Sequence, residues 1–349
     1  MSSDSGRIGE GDNLSTNNMG FLPAIEYQAG NVTIAENQPR QPQSLQDLLR
    51  FTVEASSMGQ EPATSPLVGP MDEDRRQFLE QTLRSMTVDI VEVLSKAIEV
   101  LKRASSLSSE DDPTECEEAF QEIMDHVDNI DNANDFHKIG GFCIFTPCLN
   151  SVHSGLRWRA ADLLAELAQN NPYCQQKVLE AKLMPVLISL LNSDPNEQVR
   201  IKSLYALSTL IRECNEALEE FRQNDGFSAL LKALQSGVDK LKIKASFLIS
   251  SLNQAWVKNE LHRLGFVPVF VNLISEEVNP CTEHLLSALL NLVASHEASQ
   301  VECRGTKLEL RETLSRLIEG QGPKEEFREV CEYARQLSLI LFDGDEVDK

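Results

Sequence analysis

Eight cysteines and six histidines are the residues of this 349-residue chain best equipped for chemistry. Cys116, Cys143, Cys148, Cys174, Cys214, Cys281, Cys303 and Cys331 include no C-x-x-C pair, and the nearest two, Cys143 and Cys148, have four residues between them. Thiols scattered in this way read as small apolar core residues rather than as metal ligands or a redox couple. His126, His137, His153, His262, His284 and His296 show no paired ligand spacing, so no metal site is expected. The acidic run Asp125, Asp128, Asp131 and Asp135 lacks the Asp-x-Asp-x-Asp-Gly order of a calcium loop and reads as a solvated helix end and turn. No G-x-x-x-x-G-K-[ST] and no G-x-G-x-x-G following a strand is present, so neither a nucleotide nor any other cofactor is expected on this chain. With no nucleophile–base pair, metal cluster or phosphate loop in view, the chain is expected not to be an enzyme.

The recurrent polar chemistry is of another kind. Taking i, i+3 and i+7 from a repeated basic position gives Arg159/Asp162/Glu166, Lys202/Tyr205/Thr209, Lys244/Phe247/Ser251 and His284/Ser287/Asn291. That spacing puts each triplet on one face of a helix. The opposite faces carry Leu163, Leu164 and Leu167, then Leu204, Leu207 and Leu210, then Leu248, Ile249 and Leu252, which read as core. The result is a ladder of Arg, Lys, Lys and His with two aromatics, Tyr205 and Phe247, on a protein of net charge −22. Such a ladder suits an acidic protein surface, with steering from the charges and affinity from the aromatics. The same net charge, with no Lys/Arg-rich run, argues against nucleic acid as a ligand.

The elements that hold this ladder repeat. Segments beginning at Gly141, Lys182, Gly226 and Gly265 are 41, 44 and 39 residues apart, and Gly305 begins a weaker fifth copy. A second set beginning at Trp158, Ile201, Ile243 and Glu283 recurs every 43, 42 and 40 residues, each leading into an Ala/Leu-rich helical pattern. A period near 42 built only from helical patterns is the armadillo/HEAT signature. No alternating strand pattern is visible. The expected fold is all-α, an armadillo-like right-handed helical solenoid with helical caps at both ends and a disordered N-terminal tail. The repeat domain is placed at 70–342, with an N-terminal cap at 72–104, about four repeats over 116–303 and a C-terminal cap at 305–342. Residues 1–69 are rich in Ser, Asn, Gln, Gly and Pro and read as mostly disordered, with a short amphipathic helix near 44–55. Residues 343–349 form an acidic tail. No apolar run reaches the 18 or so residues of a membrane span, and no secretory signal or retention motif is visible, so a cytoplasmic, and also nuclear, location is expected for a monomer.

Several segments resemble those of the Hsp70-binding protein family, the armadillo-type nucleotide-exchange factors of Hsp70 chaperones. They are Gly155-Leu156-Arg157-Trp158-Arg159-Ala160-Ala161, Asp131-Asn132-Ala133-Asn134-Asp135-Phe136, Val199-Arg200-Ile201-Lys202, Asp225-Gly226-Phe227-Ser228 and Lys240-Leu241-Lys242-Ile243-Lys244-Ala245-Ser246-Phe247-Leu248. Pro70-Met71, Arg75-Arg76-Gln77 and the leucines of 45–49 look similar too, so the likeness spans roughly 43–340. The resemblance implies a co-chaperone that wraps its concave face around one lobe of the Hsp70 ATPase domain, opens the nucleotide cleft, releases ADP and so releases the client. It also makes the apolar island at 45–53 a candidate client mimic for the Hsp70 substrate-binding domain. A generic armadillo adaptor such as a transport receptor is the competing reading. Receptors of that kind hold basic peptides on a Trp/Asn ladder, and the corresponding positions here carry no Trp and one Asn.

Overall fold

The computed structural model describes residues 76–77, 89–320 and 327–342. The tail expected over 1–69, its helix near 44–55, positions 72–75 and 78–88 of the cap at 72–104 and the acidic 343–349 lie outside the described residues. The chain divides at Met71/Asp72 into two units, and every described residue belongs to the second. Those residues are helical or irregular, with no strand among them, and none of their helices is long and apolar enough to cross a membrane.

Helix α1 (Ile90–Lys102) starts where the Asp89 carboxylate accepts the Glu92 N–H, satisfying one of the unpaired amides of the first turn. It buries Leu94, Ala97, Ile98 and Leu101, an i, i+3, i+4, i+7 stripe, against α2 (Thr114–Met124). From Ile130 the helices run in triplets. The first is α3 (Ile130–Lys138), α4 (Phe145–Leu149) and α5 (Ser154–Ala168). The second is α6 (Pro172–Glu180), α7 (Met184–Ser193) and α8 (Glu197–Ile211). The third is α9 (Asn215–Gln223), α10 (Gly226–Leu234) and α11 (Asp239–Ser251). The fourth is α12 (Ala255–Arg263), α13 (Phe266–Ser275) and α14 (Thr282–Val293). A last set, α15 (Glu297–Arg304), α16 (Leu310–Gly320) and α17 (Arg328–Phe342), closes the C-terminal end.

One continuous apolar core runs from Leu94 to Phe342. No triplet could bury its own apolar face, so stability comes from each stacking on the next. The third helix of each triplet packs on the third helix of the following one, from α5 through α8, α11 and α14 to α17. These helices form a continuous layer. Seven of the eight cysteines are buried or half-buried, with burial pushing Cys148 and Cys303 up to about 12, and Cys143 is exposed.

The turn between first and second helices shows why glycine recurs. Gly140, Lys182, Asp225 and Gly265 all adopt positive φ, at 87°, 53°, 57° and 83°. This left-handed residue is the equivalent point of each triplet, and it is glycine in only two of them. Gly141 and Gly226 serve a different need. A Cβ at Gly226 would lie 2.4 Å from the buried Phe221 ring, and one at Gly141 2.5 Å from Phe136. The aligned segments therefore begin one residue late in the first and third triplets relative to the conformational repeat. Gly305, read as the start of a fifth copy, is extended at φ −62°, and the left-handed residue of that region is Glu309.

Candidate partner-binding face

The repeated polar positions fall on the layer of third helices, and the chain arranges them as rungs that touch. On α5, Arg159 reaches back to Glu117 of α2 at 3.0 Å and lies 4.2 Å over the Trp158 ring. The Glu117 carboxylate packs against Gly155, where a Cβ would sit 1.9 Å from it. Asp162, also on α5, accepts Lys202 of α8 at 2.6 Å and 2.7 Å. Glu166 lies 3.2 Å from the Tyr205 hydroxyl, which is also 2.6 Å from Oε1 of Gln169. Burial first, and then the Glu166 carboxylate, push the Tyr205 phenol up to about 12, so it stays a neutral donor at any physiological pH. Lys244 of α11 stands 5.0 Å over the Tyr205 ring, and Lys202 5.9 Å from it.

Further along the layer, Phe247 is 56% exposed, which on this face is unusual for so large an apolar side chain. Ser251 bonds back to Leu248 O. On α14, His284, Ser287 and Asn291 are half-buried. Asn291 donates from Nδ2 to Asn253 Oδ1 at 2.7 Å, and its carbonyl accepts Lys258 Nζ at 2.7 Å. Glu283, at the start of the same helix, is held above the usual carboxylate range by burial, then by a hydrogen bond shared with the Glu329 carboxyl of α17 and repulsion from it.

Thr209 does not belong to this face. It is 4% exposed, and its hydroxyl donates to Ala206 O at 2.9 Å, while Ser208 takes the more open side. Seven residues fall about 20° short of two full helical turns. At this end α8 also tucks beneath α6, whose Gln175 amide donates to Thr209 O. The basic ladder needs a second correction. Arg159 and Lys202 are ion-paired within the chain, so they present no free positive charge, and Lys202 is only 25% exposed in its side chain.

Sequence reasoning missed Glu117, the tethers Gln169 and Asn253, and Lys240. The signal for Lys240 was available: it lies four residues before Lys244, on the same helical face. Lys240 is exposed. Partial desolvation, and then the neighbouring ammonium of Lys202, hold Lys244 below the ordinary lysine value; Asp162 offsets some of this and Lys240 adds to it. Among the described residues no group of three or more His, Cys, Asp and Glu side chains is arranged to hold a metal ion.

Known proteins resemble this chain along most of its length. Residues 132–260 match the SIL1/FES1/HPBP1 C-terminal domain, and residues 45–136 match the family described as nucleotide exchange factor Fes1. The chain is 34% identical over 327 residues to Hsp70-binding protein 1 of Mus musculus, covering 90% of both proteins. It is 34% identical to the Homo sapiens protein of the same name, covering 87% of both. Hsp70 nucleotide exchange factor FES1 of Coccidioides immitis is 33% identical over 105 residues, which is 30% of this chain and 50% of that protein. Among solved structures, a designed armadillo repeat protein in complex with the peptide (KR)4 superposes with a TM-score of 0.58 at 16% identity, covering 70% of this chain and 99% of the other. At that identity the likeness speaks for the armadillo fold.

Proposed function

Because this chain belongs to the family of Hsp70-binding protein 1 and the nucleotide exchange factors FES1 and SIL1, we propose that it is a co-chaperone that binds the ATPase domain of Hsp70 and promotes release of ADP. The observation that carries this reading is the 34% identity sustained across 90% of both this chain and Hsp70-binding protein 1.

The layer of third helices is the surface we assign to the contact. In an armadillo solenoid these helices line the concave side, and a broad concave face suits one lobe of a globular domain. Exchange then needs no nucleotide site on this chain. A partner that binds the open, ADP-free cleft more tightly than the closed one shifts the equilibrium by its differential affinity and by nothing else. Moving a cleft from 1:99 to 99:1 in favour of opening takes about a 10⁴-fold preference, roughly 5.5 kcal/mol. A rigid face can supply that preference by fitting the open cleft and not the closed one, since it does not deform to suit both. ADP loss, ATP rebinding and client release follow in Hsp70 itself. We place this activity in the cytoplasm, on a monomer, and assign the N-terminal residues 1–69 a second contact with the substrate-binding domain.

Calorimetric titration of the full chain into the Hsp70 ATPase domain tests the reading. Binding should be markedly tighter to the nucleotide-free domain than to the ADP-loaded one. Equal affinity for both forms would exclude exchange by this mechanism.

A further inference from the structure

The rungs are not equivalent in what they leave for a partner. Arg159 is neutralised by Glu117 and Lys202 by Asp162, so the first two rungs are electrically closed. On α14 the polar groups are half-buried and Asn291 is tethered at both its amide and its carbonyl. The rung on α11 differs in three respects. Lys240 and Lys244 have no carboxylate within ion-pair distance among the described residues. Both are exposed, and the Lys240 ammonium disfavours the charge of Lys244. One turn beyond Lys244 stands Phe247, the exposed large apolar side chain of the four central helices α5, α8, α11 and α14 among the described residues.

In a chain of net charge −22 a pair of lysines without an ion-pair partner is placed against the prevailing field. Its Lys244 member is also held in position. The Tyr205 hydroxyl is anchored beside Gln169 and Glu166, and its ring lies 5.0 Å beneath the Lys244 ammonium. The position of that charge is thus set before any partner arrives, which lowers the ordering cost of using it. A central, pre-positioned cation next to an exposed aromatic is the composition of an interface anchor, surrounded by closed rungs that exclude water.

We propose that Lys240, Lys244 and Phe247 form the anchoring patch of this face, and that the patch seats a carboxylate set beside an apolar group on the Hsp70 ATPase domain. The inference rests on the proposed Hsp70 contact and narrows it from twelve candidate positions to one helix. The carboxylate relieves the repulsion that Lys202 and Lys240 exert on Lys244, while the apolar group covers Phe247. Tyr205 acts as a positioning residue, holding Lys244 without touching the partner.

The test uses the full chain, with Lys240→Ala/Lys244→Ala and Phe247→Ala as variants and Lys232→Ala, an exposed lysine of α10, as control. Binding to the nucleotide-free Hsp70 ATPase domain is measured across a range of salt concentrations. The thermal midpoint of each variant is measured alongside and should match that of the parent, because all the altered side chains are exposed. The double lysine variant and Phe247→Ala should each bind about ten-fold more weakly, and the control should be unchanged. The dependence of affinity on salt should flatten in the lysine variant and persist in Phe247→Ala. If the parent binds and both variants bind equally well, the patch is not the anchor, while the Hsp70 reading stands. A parent that does not bind at all removes both. Variants that alter only the self-association of the chain would make the patch a seat for a second copy, which also overturns the proposal.

Discussion

Replacing Asp194 by Ala should cost more than any exposed substitution on this protein. Arg157, near the start of α5, donates through Nε to Asp194 Oδ2 at 2.6 Å and through Nη2 to Oδ1 at 2.9 Å. The side chains are 12% and 3% exposed. Arg157 Nη1 also reaches Ser151 O and Val152 O, and Asp194 Oδ1 accepts the Asn196 N–H just before α8. The pair therefore locks the beginnings of two neighbouring third helices and sets the register in which Asp162 meets Lys202. Removing the carboxylate strands a guanidinium in a site with little water. Breaking a buried pair from one side costs about 3–5 kcal/mol. At roughly 2–4 °C per kcal/mol for a unit of this size, the midpoint should fall by about 10 °C. Circular dichroism melts of Asp194→Ala read this directly. Arg157→Met/Asp194→Leu is the companion measurement, since it removes both charges and should recover most of the loss. A single variant melting within about 2 °C of the parent, or a double variant worse than the sum of the singles, would refute the reasoning.

Other perturbations follow from the same structure. Lys182→Gly should raise the melting midpoint by a few degrees, because a left-handed φ of 53° costs a non-glycine residue about 1 kcal/mol. Gly226→Ala should lower it by more than that, since the new methyl meets the buried Phe221 ring; a neutral result would show that the ring can yield. Lys202→Glu should destabilise the chain by about 1–3 kcal/mol by facing Asp162, whereas Lys244→Glu should be tolerated, and urea melts of the two compare them. His296 caps α15, its Nδ1 accepting the Ser299 N–H while Nε2 is 2.9 Å from Asn259 Oδ1, so the neutral imidazole is the form that fits. Burial, then His262 and Lys258, hold His296 below its ordinary value of 6.5. Its stabilising contribution is present above that value and is lost as pH falls through 6.5 and below, because the unfolded chain takes up the proton first. His296→Asn, which keeps a capping oxygen, should flatten the midpoint-versus-pH curve over that window.

The helical period could be read from sequence because the third helices carry dense Ala/Leu stripes that only a stacked solenoid buries. The glycine positions misled by one residue, since Gly141 and Gly226 mark close approach to a phenylalanine and not the left-handed turn. Lys182 and Asp225 occupy that turn without the glycine signal. The phase of the polar face was also legible, apart from Thr209, where a small angular drift and the overlying Gln175 bury the position. The pairing across rungs was not. Asp162 and Lys202 are 40 residues apart, and no local pattern joins them. In a periodic chain the partner of each cation could be sought one period earlier, and Tyr205 with Glu166, 39 residues before it, obeys the same rule. Glu117, 42 residues before Arg159, obeys it too, although it lies on α2, ahead of the first triplet.

Release of a fluorescent ADP analogue from Hsp70, timed with and without the full chain, tests the central claim most directly. The account predicts strong acceleration that saturates with chain concentration and requires a stoichiometric complex. An unchanged release rate under conditions where the complex is seen to form would contradict it.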